Sequence, residues 1–272
     1  LPLFLLLAVL PVVLSLVYAA LYGVGLAGLL SAGFTLEHWH RVVTSREVWA
    51  SAGLSVYVAG SVVLATTALA LPLALGLRER LETGWLAPVL SFPLAIPGTV
   101  GAVLALQLLA GAGLASRIVH ALGQSEGIAG FPSLVQDEWL VGVIATHVAL
   151  ATPFFVFLFA DLYRSERTAP LLELAATLGA TRRQGLMRVT LPLLLHAAAP
   201  SLVLLFILVL GSFEVPLLLG RQSPQMLSVL TYRKYGLFDI SQKPEAYILS
   251  LGFTVLALGL VGVVFRLRRS EA

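Results

Sequence analysis

The stretch ELAATLGATRRQGLMRVTLP, residues 173–192, sets three arginines and a glutamate between long apolar runs. Of the 272 residues in the chain, 58% are hydrophobic and 11% charged; a soluble domain carries about 25% charged residues. The apolar residues collect in runs of about twenty or more, the length that crosses a bilayer. The chain therefore reads as an integral membrane protein bathed in membrane lipid. Its net charge of +3 bears on topology and not on nucleic acid. No cysteine is present, which excludes disulfides, thiolate metal sites and thiol catalysis.

Working outward, six apolar segments can be drawn, at about 3–30, 50–77, 87–110, 139–160, 196–219 and 246–265. Lipid offers backbone groups no partner, so each is expected to be a helix. Barrel strands would be about ten residues long and alternating. The expected fold is an all-α integral membrane protein with six transmembrane helices, in a single domain over residues 1–272. No internal repeat or linker is evident. The first run is too long for a signal-peptide core, and no small-residue cleavage site follows it. It is read as a retained span. The first residue is Leu1 and not Met, so further N-terminal residues are expected to precede it.

Arginine and lysine set the orientation. The connections at 78–84 and 161–195, with the tail after Phe265, hold ten basic and six acidic residues. The connections at 31–49, 111–138 and 220–245 hold seven of each. The first set is expected to be cytoplasmic, with both termini inside.

The longest of these cytoplasmic connections contains the opening stretch. Thr168, Ala169 and Pro170 make a helix start, since proline suits the first turn. Leu171, Leu174, Ala175 and Leu178 then share a face at helical spacing. Gly179 ends the run, where a left-handed residue is commonly needed. Thr181 and Gln184 have the spacing of a capping box. A second short helix is expected from Arg182 to about Val189, closed by Pro192. Two roles fit this pattern equally. One is a juxtamembrane helix on anionic lipid; the other is a docking element for a cytoplasmic partner.

The order Glu173, Gly179, then Val189-Thr190-Leu191-Pro192 resembles the EAA loop of binding-protein-dependent ABC importer permeases of type I. That pattern begins Glu-Ala-Ala, reaches Gly after three more residues and ends Ile-x-Leu-Pro. Here Leu174 replaces the first alanine and Val189 the isoleucine. The loop also falls between spans four and five, as in that family. The resemblance implies a type I importer fold, with a coupling loop at about 161–195 that seats in a separate ATPase subunit. It places Gly179 at the turn, Leu174 and Leu178 as knobs, and Glu173 opposite a basic residue of the partner. Ala175, Arg182, Leu191 and Pro192 belong to the same coupling set. The family also implies a dimer of ATPase subunits, which would bind ATP and Mg, and a periplasmic or lipid-anchored solute-binding protein. A second permease chain is expected, and the location is the bacterial inner membrane.

No chemistry of its own is legible in the chain. The only lysines are Lys234 and Lys243, and neither follows a glycine, so a P-loop is absent. No His-Glu-x-x-His or Gly-x-Ser-x-Gly occurs. His38 and His40 could share a strand face, a weak metal site at best, and no metal site, catalytic residue or cofactor is expected. A non-catalytic permease is thus the leading reading. The alternatives are a self-contained secondary transporter, which usually shows paired interrupted spans in both halves, and an intramembrane enzyme.

Polar and helix-breaking residues inside the spans are candidates for a pathway. Span three opens SFPLAIPGTVGAVLALQLL, with Pro93, Pro97 and Gly98 near its cytoplasmic end. An ordinary kinked span and a pathway-lining broken helix both fit. Glu214 is the only acidic residue well inside a drawn span, followed by Pro216. It faces a seam or pathway, or else pairs with Arg221 at the outer rim. Gln107 and His147 complete the pathway set with Pro97, Glu214 and Pro216. The Phe-x-x-Pro-x-Leu-Leu-Gly shape from Phe213 to Gly220 resembles permeases for polyamines, ferric iron and thiamine.

Overall fold

In the computed structural model, residues 2–28, 31, 33–124, 130–132 and 134–269 are described. The end of the first drawn run, much of the glycine-rich stretch at 123–133 and the last three residues lie outside them. Among the described residues, six helical stretches are long and apolar enough to cross a membrane. The helices in chain order are α1 (Pro2–Gly23), α2 (Glu37–Thr44), α3 (Arg46–Thr83), α4 (Leu86–Ser91), α5 (Gly98–Leu109) and α6 (Leu114–Ala121). Then come α7 (Val141–Ser165), α8 (Thr168–Thr177), α9 (Arg182–Gly185), α10 (Leu191–Leu210), α11 (Glu214–Leu219), α12 (Leu227–Gly236) and α13 (Lys243–Arg269). No strand occurs among the described residues.

The core lies where α3, α7 and α10 meet. One stripe of α3 explains the close fit: Ser51, Ser55, Ala59, Thr66, Ala70 and Ala74 are wholly buried and recur at spacings of four or seven residues. Small side chains let helix backbones approach closely, which favours the van der Waals packing that helps drive association where lipid removes the hydrophobic driving force. Phe155, Val156 and Phe159 of α7 and Leu194, Ala198 and Leu205 of α10 complete the core. Helix α1 packs on α13 at one side through Tyr18, Tyr22 and Tyr247, and most of its surface is left to lipid.

The drawn spans need correction at their ends. The first helix stops at Gly23 because Gly25 (φ +76°) and Gly28 (φ +110°) turn the chain, and Gly28 lies so close to the Tyr22 ring that a Cβ would not fit. The second runs through Arg78 to Thr83 and is capped by the Ser45 hydroxyl, which accepts from the Val48 amide. The third is not one helix. It is α4 and a 3-10 turn over Phe92–Ala95, a break at Ile96–Pro97, then α5 and α6 separated by a turn at 110–113. Proline disfavours helix at the residue before it, and Ile96 is extended. Helix α6 also puts structure into a segment read as an external connection.

Span five differs most. Helix α9 passes through a π-helical turn, Leu186–Thr190, straight into α10, so Pro192 does not close the second short helix. It sits in the first turn of α10. Lacking an N–H, and with a ring that clashes with the carbonyl four residues back, it is a physical cause for the widened turn before it. The far end also stops early: α10 ends at Leu210, and Glu214 opens the separate helix α11. Glu214 is therefore not inside a continuous span.

Outside the spans, α2 lies against α13. Glu245 of α13 is buried between Lys234 of α12, 2.8 Å away, and Arg41 of α2 at 3.7 Å. Because α2 is a helix, His38 and His40 point apart, which removes the expected shared face. His38 Nδ1 accepts from Arg41 at 2.5 Å. Burial and that guanidinium hold the His38 pKa below its ordinary value.

Candidate functional site

A cleft of about 480 Å³ opens between the start of α5, α7, α10 and α11. Leu150, Ala151, Phe154, Leu204, Leu208 and Val215 give it an apolar wall. Its polar groups are His147, Ser201, Ser212 and Glu214. Pro153 in α7 and Pro200 in α10 each remove a helical hydrogen bond one residue before a cleft residue, Phe154 and Ser201.

Each polar group has a local reason for its place. His147 Nδ1 donates to the Val143 carbonyl one turn earlier, at 2.9 Å. Its proton is then on Nδ1, and Nε2 accepts from the Ser212 hydroxyl, also at 2.9 Å. Ser212 lies in the break between α10 and α11, and its own carbonyl accepts from the Ser228 hydroxyl of α12 at 2.5 Å. Glu214 follows in the first turn of α11 and is exposed. A Cβ added at Gly98 would lie 3.4 Å from Glu214 Oε2, so the restart of span three and the break in span five face each other.

Of the five pathway candidates, the structure brings His147 and Glu214 to one cleft. Pro97 caps α5 at the cleft's edge but does not line it. Gln107 is exposed elsewhere on α5, and Pro216 is buried within α11. Arg221 does not pair with Glu214; its guanidinium donates to the carbonyls of Pro224 and Glu138. The Pro-x-x-x-Gly part of the 213–220 pattern has a structural cause. Gly220 N–H donates to the Pro216 carbonyl at 2.9 Å, and a Cβ at Gly220 would fall 2.4 Å from that oxygen. Gly98, in the stretch read as a possible pathway-lining break, lines the cleft, whereas Ser201 and Ser212 were missed by sequence reading.

The second candidate region is the loop of the opening stretch. Helix α8 starts at Thr168 and ends before Gly179, whose φ is +85°. Thr181 and Gln184 form the capping box, each satisfying the other's backbone amide. The expected face is split in two. Leu171, Leu174 and Leu178 are exposed, Leu178 at 82%, and Glu173 is exposed beside them. Ala175 instead turns inward with Leu172, which packs on the core. Leu172 also explains Gly185, where a Cβ would come within 2.9 Å of its Cδ2. Arg182 is exposed, while Leu191 packs against the core at the start of α10 and Pro192 follows it.

The comparison with known proteins agrees with this layout. Residues 63–268 match the family described as binding-protein-dependent transport system inner membrane component, and the chain belongs to that family. It is a multi-pass inner-membrane permease component, all-α, with six candidate membrane helices. Among curated proteins it is similar to the probable ABC transporter permease protein y4fN of Sinorhizobium fredii (strain NBRC 101917 / NGR234). The two are 32% identical over 136 residues, 48% of this chain and 23% of that protein, so the match spans about a quarter of the relative's length. Two solved structures share the fold at 19% identity. One is a bacterial ABC transporter involved in import of the acidic polysaccharide alginate, with a TM-score of 0.68 over 98% of this chain and 91% of that one. The other is the bacterial alginate transporter in complex with an alginate pentasaccharide-bound periplasmic protein, with a TM-score of 0.71 over 99% and 91%.

Proposed function

We propose that the chain is one permease subunit of an ATP-driven importer, paired with a second and different permease chain. In this reading α8 and the Gly179 turn dock into a separate ATPase subunit. The observation that carries it is the outward row of Leu171, Leu174 and Leu178 with Glu173 beside it, on a short helix outside the spans. Three exposed leucines in a row form a patch that water does not favour, and such patches mark interaction sites. ATP and Mg belong to the partner, and a solute-binding protein delivers the cargo. Both termini and this loop lie on the cytoplasmic side, as the arginine distribution supports.

The cleft lined by His147, Ser212 and Glu214 is the proposed pathway wall. Its carboxylate favours a small hydrophilic solute with positive charge. The polyamine, ferric-iron and thiamine-like branch, suggested by residues 213–220, is compatible with that. The alginate transporters resemble this chain at 19% identity, which bears on fold alone.

The test is purification of the tagged chain from its native membrane. A P-loop ATPase is expected to co-purify with the wild type and to be lost with Leu178→Asp, while insertion is unchanged. Solute uptake by the chain alone in proteoliposomes, driven by an ion gradient, would instead establish a secondary transporter.

A further inference from the structure

Between the 168–190 loop and the neighbouring ends of α3 and α7 lies a second cavity, of about 280 Å³. That is near the small end of ligand pockets, about 300–1,000 Å³. Leu75, Leu172, Ala176 and Leu186 supply apolar walls. The polar lining is Arg78, Tyr163, Thr181, Arg182 and Thr190, and no carboxylate of the described residues lines it.

Two arginines and a buried threonine line the cavity together. The Arg78 guanidinium stands over the Tyr163 ring, 4.7 Å from its centroid, and donates to the Leu75 carbonyl at 3.4 Å. Among the described residues its ion pair is with Glu79, 4.0 Å away and with its side chain 90% exposed. Arg182, at the mouth, has no ion-pair partner among the described residues. Thr181 is already occupied by the capping box. Thr190 is 1% exposed, and its Oγ1 has no hydrogen-bond partner. A helical threonine ordinarily bonds the carbonyl four residues back; at the end of the π turn Thr190 does not. Its hydroxyl is an unpartnered donor on a residue that lines the cavity together with Arg78 and Arg182.

We propose that this cavity binds a phosphate group, gripped by Arg78 and Arg182, with the Thr190 hydroxyl donating to a phosphate oxygen. Guanidinium forks match phosphate geometry, and the apolar wall accommodates a carbon skeleton attached to it. The phosphate comes from an anionic lipid headgroup or from free phosphate. Either source would bridge the loop to α3 and α7, so occupancy would stiffen the loop against the bundle. The site goes beyond the transport reading and does not depend on it.

The test places the purified full chain, without partner subunits, in nanodiscs of phosphatidylcholine, with or without phosphatidylglycerol, and follows thermal unfolding with inorganic phosphate or an equal ionic strength of sodium chloride. A lipid source raises the midpoint with phosphatidylglycerol and leaves one such lipid bound in native mass spectra. A free-phosphate source raises it in pure phosphatidylcholine. In either arm Arg182→Gln and Thr190→Val should raise the half-maximal concentration by at least about tenfold, the loss of one charge-assisted hydrogen bond. Arg182 is exposed, so its replacement leaves the fold in place. A wild type that responds to neither source, or variants that respond as the wild type does, would overturn the site.

Discussion

The Nε2 atom of His147 lies 2.9 Å from Ser212 Oγ, joining α7 to the three-residue break between α10 and α11. The bond spans 65 residues of sequence. Through the Ser212 carbonyl and Ser228 it continues to α12. The break that sets Glu214 against Gly98 is thus fixed from two sides, by a side chain on α7 and a hydroxyl on α12.

Ser212→Ala should therefore destabilise the protein, because it leaves Nε2 of a half-buried imidazole without a donor. The cost of such an orphaned group is about 1–3 kcal/mol. Ser212→Thr keeps the hydroxyl and should lose less. Thermal unfolding of the purified protein in one detergent compares them. Equal midpoints for the alanine and threonine variants would show that the bond holds nothing.

Local signals were the legible part of this chain. The α8 start, the Gly179 turn and the Thr181–Gln184 capping box are set by residues within a few positions of each other, and all three stand as read. Span existence was legible for the same reason, since length and apolarity are local. The end of span five was not. Gly211, Ser212 and Phe213 pass within a hydrophobic run; Pro216, which cannot donate to the Ser212 carbonyl four residues back, was the local signal, and the His147 and Ser228 contacts from distant helices fix where the break falls. The face of α8 also needed its neighbour. Spacing put Ala175 with the leucines, but Leu172 packing on the core and on Gly185 rotates it inward.

Gly179 is constrained by its backbone and not by crowding. Nothing lies within 4 Å of a Cβ built there, yet φ is +85°. A side chain therefore costs about 1–2 kcal/mol through the left-handed conformation, and asparagine, which tolerates it, costs less. Coupled transport should then fall in the order Gly, Asn, Ala, measured as solute-driven ATP hydrolysis by the assembled complex. Asparagine and alanine variants of equal activity would mean that the turn geometry does not matter. A collapse of both would point to a partner surface pressed against the glycine itself.

The chain has no cysteine, so single cysteines report topology cleanly. Phe238, fully exposed between α12 and α13, and Thr181, exposed in the loop before α9, are suitable positions. Phe238→Cys should react with an impermeant thiol reagent in spheroplasts. Thr181→Cys should react only after the membrane is opened. The reverse pattern would invert the orientation argued from the arginine counts.

Glu214 offers the sharpest test of the pathway reading. Its carboxylate is exposed toward the cleft, near Gly98, and Arg221 is engaged with backbone carbonyls instead. Glu214 opens α11 beyond the end of α10 and makes no salt bridge among the described residues, so water in the cleft that it lines hydrates its carboxylate. Glu214→Gln keeps the size and removes the charge. It should lower uptake of a cationic solute by about tenfold, the worth of about 1.4 kcal/mol, with assembly and basal ATP hydrolysis little changed. Glu214→Asp keeps the charge on a shorter arm and should retain more uptake than the glutamine variant. If uptake is normal with glutamine, the charge has no part in passage. If aspartate and glutamine variants both fail to assemble, Glu214 acts in folding α11 and leaves the pathway set to His147 and Ser212.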